Sequence, residues 1–466
     1  MLCPIRSHVY LRGRFLAALL LLVIAGFSLF SSESRAQVLY GTLVGQVRDP
    51  TGAAVPGADV TVINEGTNLT RQTSSSDLGA YSFPTLPVGN YTVKVALPGF
   101  RQFVRTGVPV TANSTIRVEA DMEIGEVSDD VTVSAATTAV LQTDRAEVRA
   151  EIPEKELANL PIPAGRNYQE LFRNLPGFVV GDRPSASATN PSNSLIFTAN
   201  GTSSSLNNTR LDGASATNVW QPHLTAYVPA LEAIEMVDVV SNSFDAEQGL
   251  AGGAAINVRT KSGTNRFHGS VFEYHHDHTL GARNFFLPPD QGKQKYIFNQ
   301  WGGTLGGPIL KDKLFFFASY EGTADRQNGS RIVSIPSQAV RNGDFSSFST
   351  IIYDPATGNP DGSGRLPFEG NRIPVDRIDP IVKKIVDLLP MPNLPGRENL
   401  ETNNYFASAP FKFDRWTIDT KVDWVVSSAF NLFWRYSVLD FVMDSPTVFG
   451  TALEGRGLDG RGIASP

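Results

Sequence analysis

Between Glu247 and His275 the sequence changes character within one short stretch, EQGLAGGAAINVRTKSGTNRFHGSVFEYH. Gly249 to Asn257 is mostly small residues, which can be threaded where bulk would not fit. Phe267 to His275 alternates its side chains as a half-buried strand does, because successive Cβ atoms point to opposite faces. Ser262-Gly263-Thr264-Asn265 separates the two halves with turn residues that tolerate tight backbone geometry. The chain is therefore expected to divide here. A compact unit ends near Lys261, and the wall of a barrel begins near Phe267.

The 466 residues leave room for about three ordinary domains. Charged residues make up 18%, the net charge is -6, and there are 41 Gly and 30 Pro, which suits a turn-rich β protein. A nucleic-acid partner is not expected, since it would call for clustered positive charge. The only cysteine, Cys3, falls in a leader expected to be removed, so no disulfide or thiolate metal site is anticipated. That leader, residues 1–36, has Arg6, Arg12 and Arg14, then an apolar core Phe15 to Phe30, then Ser34-Arg35-Ala36. This is the layout of a signal peptide, and its core is short for a membrane span of about 20 residues. No long apolar stretch recurs after residue 36. A mature chain that enters a membrane must then do so as strands closed into a barrel, because lipid offers no partners to open backbone.

Residues 37–127 read as a small β-sandwich of short alternating strands, with a turn at Asp49-Pro50-Thr51-Gly52 and Val60 and Val62 on one face of a strand. Asp77-x-Gly79-x-Tyr81-x-Phe83, then Leu86-x-x-Gly89-x-Tyr91 and Pro98-Gly99-Phe100, resembles the carboxypeptidase regulatory-like domain. The resemblance implies an immunoglobulin-like sandwich grouped with carbohydrate-binding-like folds. Tyr81, Phe83 and Tyr91 are expected in its core rather than as a sugar platform, and no peptidase zinc motif accompanies them.

Residues 128–140 form a polar linker. Within it Asp130, Val131, Thr132, Val133, Ser134 and Ala135 resemble a TonB box, the extended segment through which outer-membrane transporters engage the periplasmic TonB protein. Alternating β-branched residues without Pro suit pairing with a partner's sheet edge. The same letters could also close the preceding sandwich as its last strand. Residues 141–263 read as mixed α/β, with short helices at Glu154 to Asn159 and Tyr168 to Asn174 and an alternating strand at Ile234 to Val240. The ordered string Leu160-Pro161, Gly165-Arg166, Leu175-Pro176-Gly177, Leu211-Asp212-Gly213, Ile234-Glu235-x-Val237-x-Val239 and Glu247-x-Gly249 is similar to the plug of TonB-dependent receptors.

Residues 264–466 read as strands and loops of a barrel, including an aromatic-rich strand Leu314 to Glu321 whose rings suit the girdles of a membrane barrel. Asp325 to Phe411, with one short helix at Pro380 to Leu389, reads as a large extracellular loop, followed by a hairpin of Arg415 to Val425 and Asn431 to Leu439. Taken together the mature chain resembles the Oar-like branch of TonB-dependent transporters. The expected architecture is mainly β: an immunoglobulin-like sandwich, an α/β plug, then the first strands of an incomplete transmembrane barrel. Receptors of this kind close about 22 strands. Asn265 to Pro466 supplies roughly five or six at about 9–11 residues each plus loops. The chain is thus expected to be the N-terminal part of a longer receptor or a truncated reading frame, unable to transport as it stands.

No HExxH, GxSxG or Walker loop occurs, so catalysis is not expected, and no cofactor is anticipated. His276 and His278, in the run His275-His276-Asp277-His278, could converge on a metal from one face of a strand, but a solvated strand end is the simpler reading. The resemblance implies a protein of the bacterial outer membrane, with plug and sandwich facing the periplasm. Its partners would be TonB, outer-membrane lipid and an unidentified ligand (glycan, peptide or metal chelate). The rival reading is a secreted or surface module that binds carbohydrate through the sandwich.

Overall fold

The computed structural model describes residues 40–111, 114–125, 130–134, 147–181, 190–243, 251–283, 285, 292–397, 401–428, 430–450 and 453. The leader, Ala135, Glu247 and Gly249 lie outside the described residues.

Nine strands build the first unit: β1 (Tyr40–Arg48), β2 (Asp59–Asn64), β3 (Thr70–Ser74), β4 (Ala80–Pro87), β5 (Gly89–Ala96), β6 (Gln102–Val110), β7 (Thr115–Arg117), β8 (Ala120–Asp121) and β9 (Asp130–Ser134). One sheet runs β4-β1-β7 with β8 also on β1, and the other runs β3-β2-β5-β6-β9. Period-two alternation turns Leu43, Val60, Val62, Phe83 and Val93 inward into one shared core. Asp49 starts the first turn by accepting from the backbone N–H of Thr51 (2.8 Å) and Ala53 (2.9 Å). The tyrosines are core, as expected. Tyr81 donates its hydroxyl to the Val118 carbonyl and Tyr91 to that of Pro87, both at 2.6 Å, so neither ring is offered to a sugar.

The middle unit contains β10 (Val148–Pro153), α1 (Glu154–Asn159), β11 (Phe178–Val180), β12 (Phe197–Ala199), β13 (Asn208–Leu211), β14 (Ala214–Ser215), β15 (Ile234–Asn242) and β16 (Ala255–Thr260). Its main sheet has the order β10-β15-β16-β13-β14. The second expected helix is a tight 3-10 turn, Tyr168–Asn174, started by the Asn167 side chain accepting from the Gln169 N–H. With about three residues per turn it buries Tyr168 to Phe172 in succession. β15 does not alternate as expected: Val237 to Val240 are all buried, because the strand lies between two neighbours and is covered on both faces. The need for small residues is visible beside β16. A Cβ on Gly253 would stand 2.5 Å from the side-chain oxygens of Asn207 and Thr202.

The last sheet is built from long antiparallel strands in sequence order: β17 (His268–Asp277), β18 (Tyr296–Leu310), β19 (Leu314–Val333), β20 (Tyr405–Val425) and β21 (Asn431–Asp444). The consecutive strands β16 and β17, on either side of residues 261–267, lie in different sheets. At the division a Cβ on Gly263 would lie 2.3 Å from the Phe316 carbonyl, so the backbone can pass flat against the sheet only as glycine. The expected loop is shorter than its punctuation suggested. β19 and β20 pair as far as Val333 opposite Tyr405, with Asn328 facing Pro410 inside the ladder. Of the expected girdle aromatics, Phe315 and Phe317 instead point inward and are fully buried, Phe317 against Ala230 and Ala233. The inversion follows from the period of two, which sends alternate rings of one aromatic run to opposite faces.

Residues 334–404 connect β19 to β20 and carry α2 (Gln338–Arg341) and α3 (Pro380–Asp387). The Arg341 guanidinium is buried and donates to the carbonyls of Pro336 (3.0 Å), Val386 (3.2 Å), Leu389 (2.9 Å) and Pro390. At the loop's root, Asn404 both accepts from the Ile335 N–H (2.9 Å) and donates to its carbonyl (2.8 Å).

Candidate functional site

The long sheet has two chemically different faces. On β20, Trp416, Ile418, Thr420, Val422 and Trp424 share the outer face, while Thr417, Asp419 and Lys421 are buried on the inner one. Trp416 and Trp424 are eight residues apart, about 26 Å along a strand. On a strand tilted by about 40° that length rises about 20 Å, so the two rings lie near the opposite borders of an apolar band about 25 Å tall. Polar groups on the inner face must find partners there, and the middle unit supplies them.

Asp212 is the centre of that contact. It occupies the tight turn between β13 and β14 with φ of 47°, followed by Gly213 at 86°, which aims its carboxylate at the sheet. The carboxylate accepts from the Thr260 N–H at 3.0 Å and from the Thr260 hydroxyl. Lys421 Nζ approaches to 3.4 Å and Arg435 Nε to 3.3 Å. Arg435 also reaches Asp419 at 2.8 Å, and Asp419 accepts the Tyr227 hydroxyl at 2.7 Å. Further along β20, Arg415 pairs with buried Glu321 at 3.0 Å and donates to the Pro191 carbonyl at 3.4 Å. A last tie links Arg166 to Glu232 at 2.8 Å, with its guanidinium 3.9 Å over the Tyr274 ring. The contacts of Asp212 with Lys421 and Arg435, of Tyr227 with Asp419 and of Arg415 with Pro191 cross between the units, while Arg435–Asp419 and Arg415–Glu321 brace the sheet's own charges. The crossing contacts fix register between the two surfaces and resist separation, because parting Asp212 from its cations strands buried charge in low dielectric.

A second charged cluster lies within the middle sheet, where Arg149 meets Asp238 at 3.1 Å and Glu147 at 2.9 Å. Burial pushes the Asp238 carboxyl up to about 7, against the pull of Arg149. An unfolded Asp titrates near about 4, so between those values the folded chain holds more protons than the unfolded one. The stabilisation is therefore present on the acid side and is lost as pH rises through 7. Unfolding midpoints of the middle unit should fall as pH rises from about 4 to about 7, the window set by those two values, and Asp238→Asn should flatten the slope. A midpoint that climbs over the same window would contradict the assignment.

Below the charged chain a cleft of about 670 Å³ opens between all three units, lined by Asn64, Glu65, Arg259, Lys261, Lys421 and Asp423 among others. The sandwich closes it by docking on short turns of the long sheet. Asn68 and Asn265 both donate to Asp312 Oδ1 (2.9 and 2.8 Å), and Arg71 donates to the Ser428 carbonyl at 2.9 Å.

The sequence pointed to Leu211, Asp212 and Gly213, and the structure puts them at the contact just described. Asp130 to Ser134 form β9, laid parallel on β6 as the sandwich's last strand. Among the described residues no group of three or more His, Cys, Asp or Glu is placed to hold a metal ion. His276 packs on the Tyr296 ring, while His278 lies past the end of β17 with Nδ1 3.1 Å from Asp277. Lys421, Arg435, Asp419, Tyr227, Arg415 and Glu321 were not singled out from the sequence. A signal was available: Asp419-x-Lys421-x-Asp423 puts charges on one face of an otherwise apolar strand.

Residues 259–463 match the outer membrane beta barrel domain, and residues 42–123 match the carboxypeptidase regulatory-like domain. The TonB-dependent transporter Oar of Myxococcus xanthus is 31% identical over 327 residues, which is 67% of this chain and 29% of that protein. The chain thus spans under a third of the length of that relative. Among solved structures, the outer membrane transporter YddB of Escherichia coli superposes with a TM-score of 0.39 at 13% identity, over 64% of this chain and 34% of that one. The TIE protein of Bacillus anthracis superposes with a TM-score of 0.17 at 26% identity, over 18% and 16%. The chain is an outer-membrane homologue of the TonB-dependent transporter Oar, in which a carboxypeptidase regulatory-like domain precedes the outer membrane β-barrel domain.

Proposed function

We propose that the middle unit is the plug of a TonB-dependent receptor, and that the protein takes up or senses a ligand at the outer membrane. The observation that carries this is the set of buried polar contacts across the joint: Asp212 meets Lys421 and Arg435, Tyr227 donates to Asp419, and Arg415 donates to the Pro191 carbonyl, so the middle unit is held on the inner face of the barrel sheet. A plug needs such a fit: tight enough to seal, yet made of discrete pairs that can part together. Orientation follows from connection lengths. Strands β18 and β19 are joined by residues 311–313 and strands β20 and β21 by 426–430, while β19 and β20 are joined by 334–404. Short turns lie on the periplasmic side of such barrels and long loops outside. The sandwich touches Asp312 and Ser428, both in short turns, and so faces the periplasm. A ligand (glycan, peptide or metal chelate) would meet the outer loops and the upper plug, and TonB would engage the segment at Asp130 to Ala135. Fractionation of the full-length gene product tests the reading. It should be recovered in the outer membrane as a heat-modifiable band, and recovery as a soluble monomer would remove it.

A further inference from the structure

The segment proposed as the TonB box is already paired. β9 lies parallel to β6, with Gln102 opposite Asp130 and Thr106 opposite Ser134. After β6 the chain crosses to the other sheet, where β7 and β8 pair with β1, and only then returns. The match to the carboxypeptidase regulatory-like domain ends at residue 123, short of this strand. β9 thus lies outside the matched range while forming the edge strand of the second sheet. The backbone groups it turns toward β6 are of the kind an incoming strand would use, since strand addition works through main-chain hydrogen bonds. The ladder is built to be weak. It is five residues long and parallel, the less stable of the two pairings per residue. Where it ends, β6 has lost its partner on the other side too: Val93 pairs with Arg105 and Tyr91 with Val108, leaving Thr106 and Gly107 without partners on β5.

We infer that the β6 edge is a built-in competitor for the TonB box, holding Asp130 to Ser134 as a strand until a strand of the coupling protein displaces it. This rests on reading residues 130–135 as that box. Only molecules with the segment off β6 are competent, so the apparent affinity is reduced by the competent fraction. The ladder also lies before β10 in the chain, so a pull on the box parts β9 from β6 before load reaches the middle unit at Val148.

The test uses the full-length receptor and the purified periplasmic domain of TonB as probe. Thr106→Cys with Ser134→Cys places two cysteines opposite one another on adjacent strands, their Cα atoms about 5 Å apart, within the usual Cα range for a disulfide. Cys3 is the only native cysteine. Oxidation should weaken TonB binding by at least about tenfold and reductant should restore it, as expected if the competent fraction collapses. Thr106→Pro disturbs the edge facing β9 at a position without a β5 partner, and should raise affinity several-fold. Equal binding in the oxidised and reduced forms would overturn the competition and mean that TonB adds to the outer edge of β9. Unchanged binding by Val131→Pro with Val133→Pro, or none by the reduced protein, would instead overturn the box reading beneath it.

Discussion

Asp212→Ala should loosen the middle unit from the barrel sheet at a cost of about 3–5 kcal/mol, the usual price of stranding buried charge. The Asp212 carboxylate is 2% exposed and is approached by both Lys421 and Arg435, themselves 10% and 15% exposed. Removing it leaves Lys421 Nζ with the Thr260 carbonyl, 3.5 Å away, and the Phe433 ring, 5.7 Å away, while Arg435 keeps Asp419. It also leaves the Thr260 N–H and hydroxyl without their acceptor. Limited proteolysis of the folded protein, read together with a urea midpoint, checks this. The middle unit should become the first part cut. A loss below about 1 kcal/mol would show that water reaches the charges and that the contact is no seal, since exposed pairs are worth that little.

Phe172→Ala should be comparably damaging, by about 3–5 kcal/mol, but for a different reason. Phe172 is fully buried, with its ring 5.0 Å from Phe197, 5.7 Å from Phe178 and 5.9 Å from Tyr168. The 3-10 turn that carries it and the β11-β12 hairpin meet through these rings, so truncation opens a cavity neither element can close alone. Phe172→Leu should cost less, by keeping most of the volume. The two substitutions separate by readout. The urea midpoint falls for both, but only Asp212→Ala should expose the contact with the sheet while leaving the middle unit folded. A midpoint unmoved by Phe172→Ala would mean the ring cluster contributes nothing to holding the unit together.

The layout of the chain was legible because it is written in periodicity. Alternation marked β2, β5, β17, β20 and β21, and the small residues around Gly253 marked a crowded strand. Helix α1 was found at its observed bounds. Loop punctuation misled between 325 and 411, because Asn328, Gly329 and Pro410 are turn residues by habit yet lie within a ladder of twenty paired positions. Propensity is a weak guide where a neighbouring strand fixes the backbone. Leu211-Asp212-Gly213 was recognised as a motif, but not as an ionic centre. Its partners Lys421 and Arg435 lie more than two hundred residues away, and only the fold brings them within reach. The direction of Phe315 and Phe317 was lost for a simpler reason. A run of consecutive aromatics has no polar letter to say which face is inside.

The buried guanidinium of Arg341 gathers four carbonyls from both halves of the long connection and pins those halves to each other. With Asn404 fastening the root as well, the segment holds its contour before anything arrives. Should this connection meet a ligand as proposed, capture would sacrifice little chain entropy, and complementarity would be decided by which side chains line a pre-set relief rather than by how far the segment can fold around its guest.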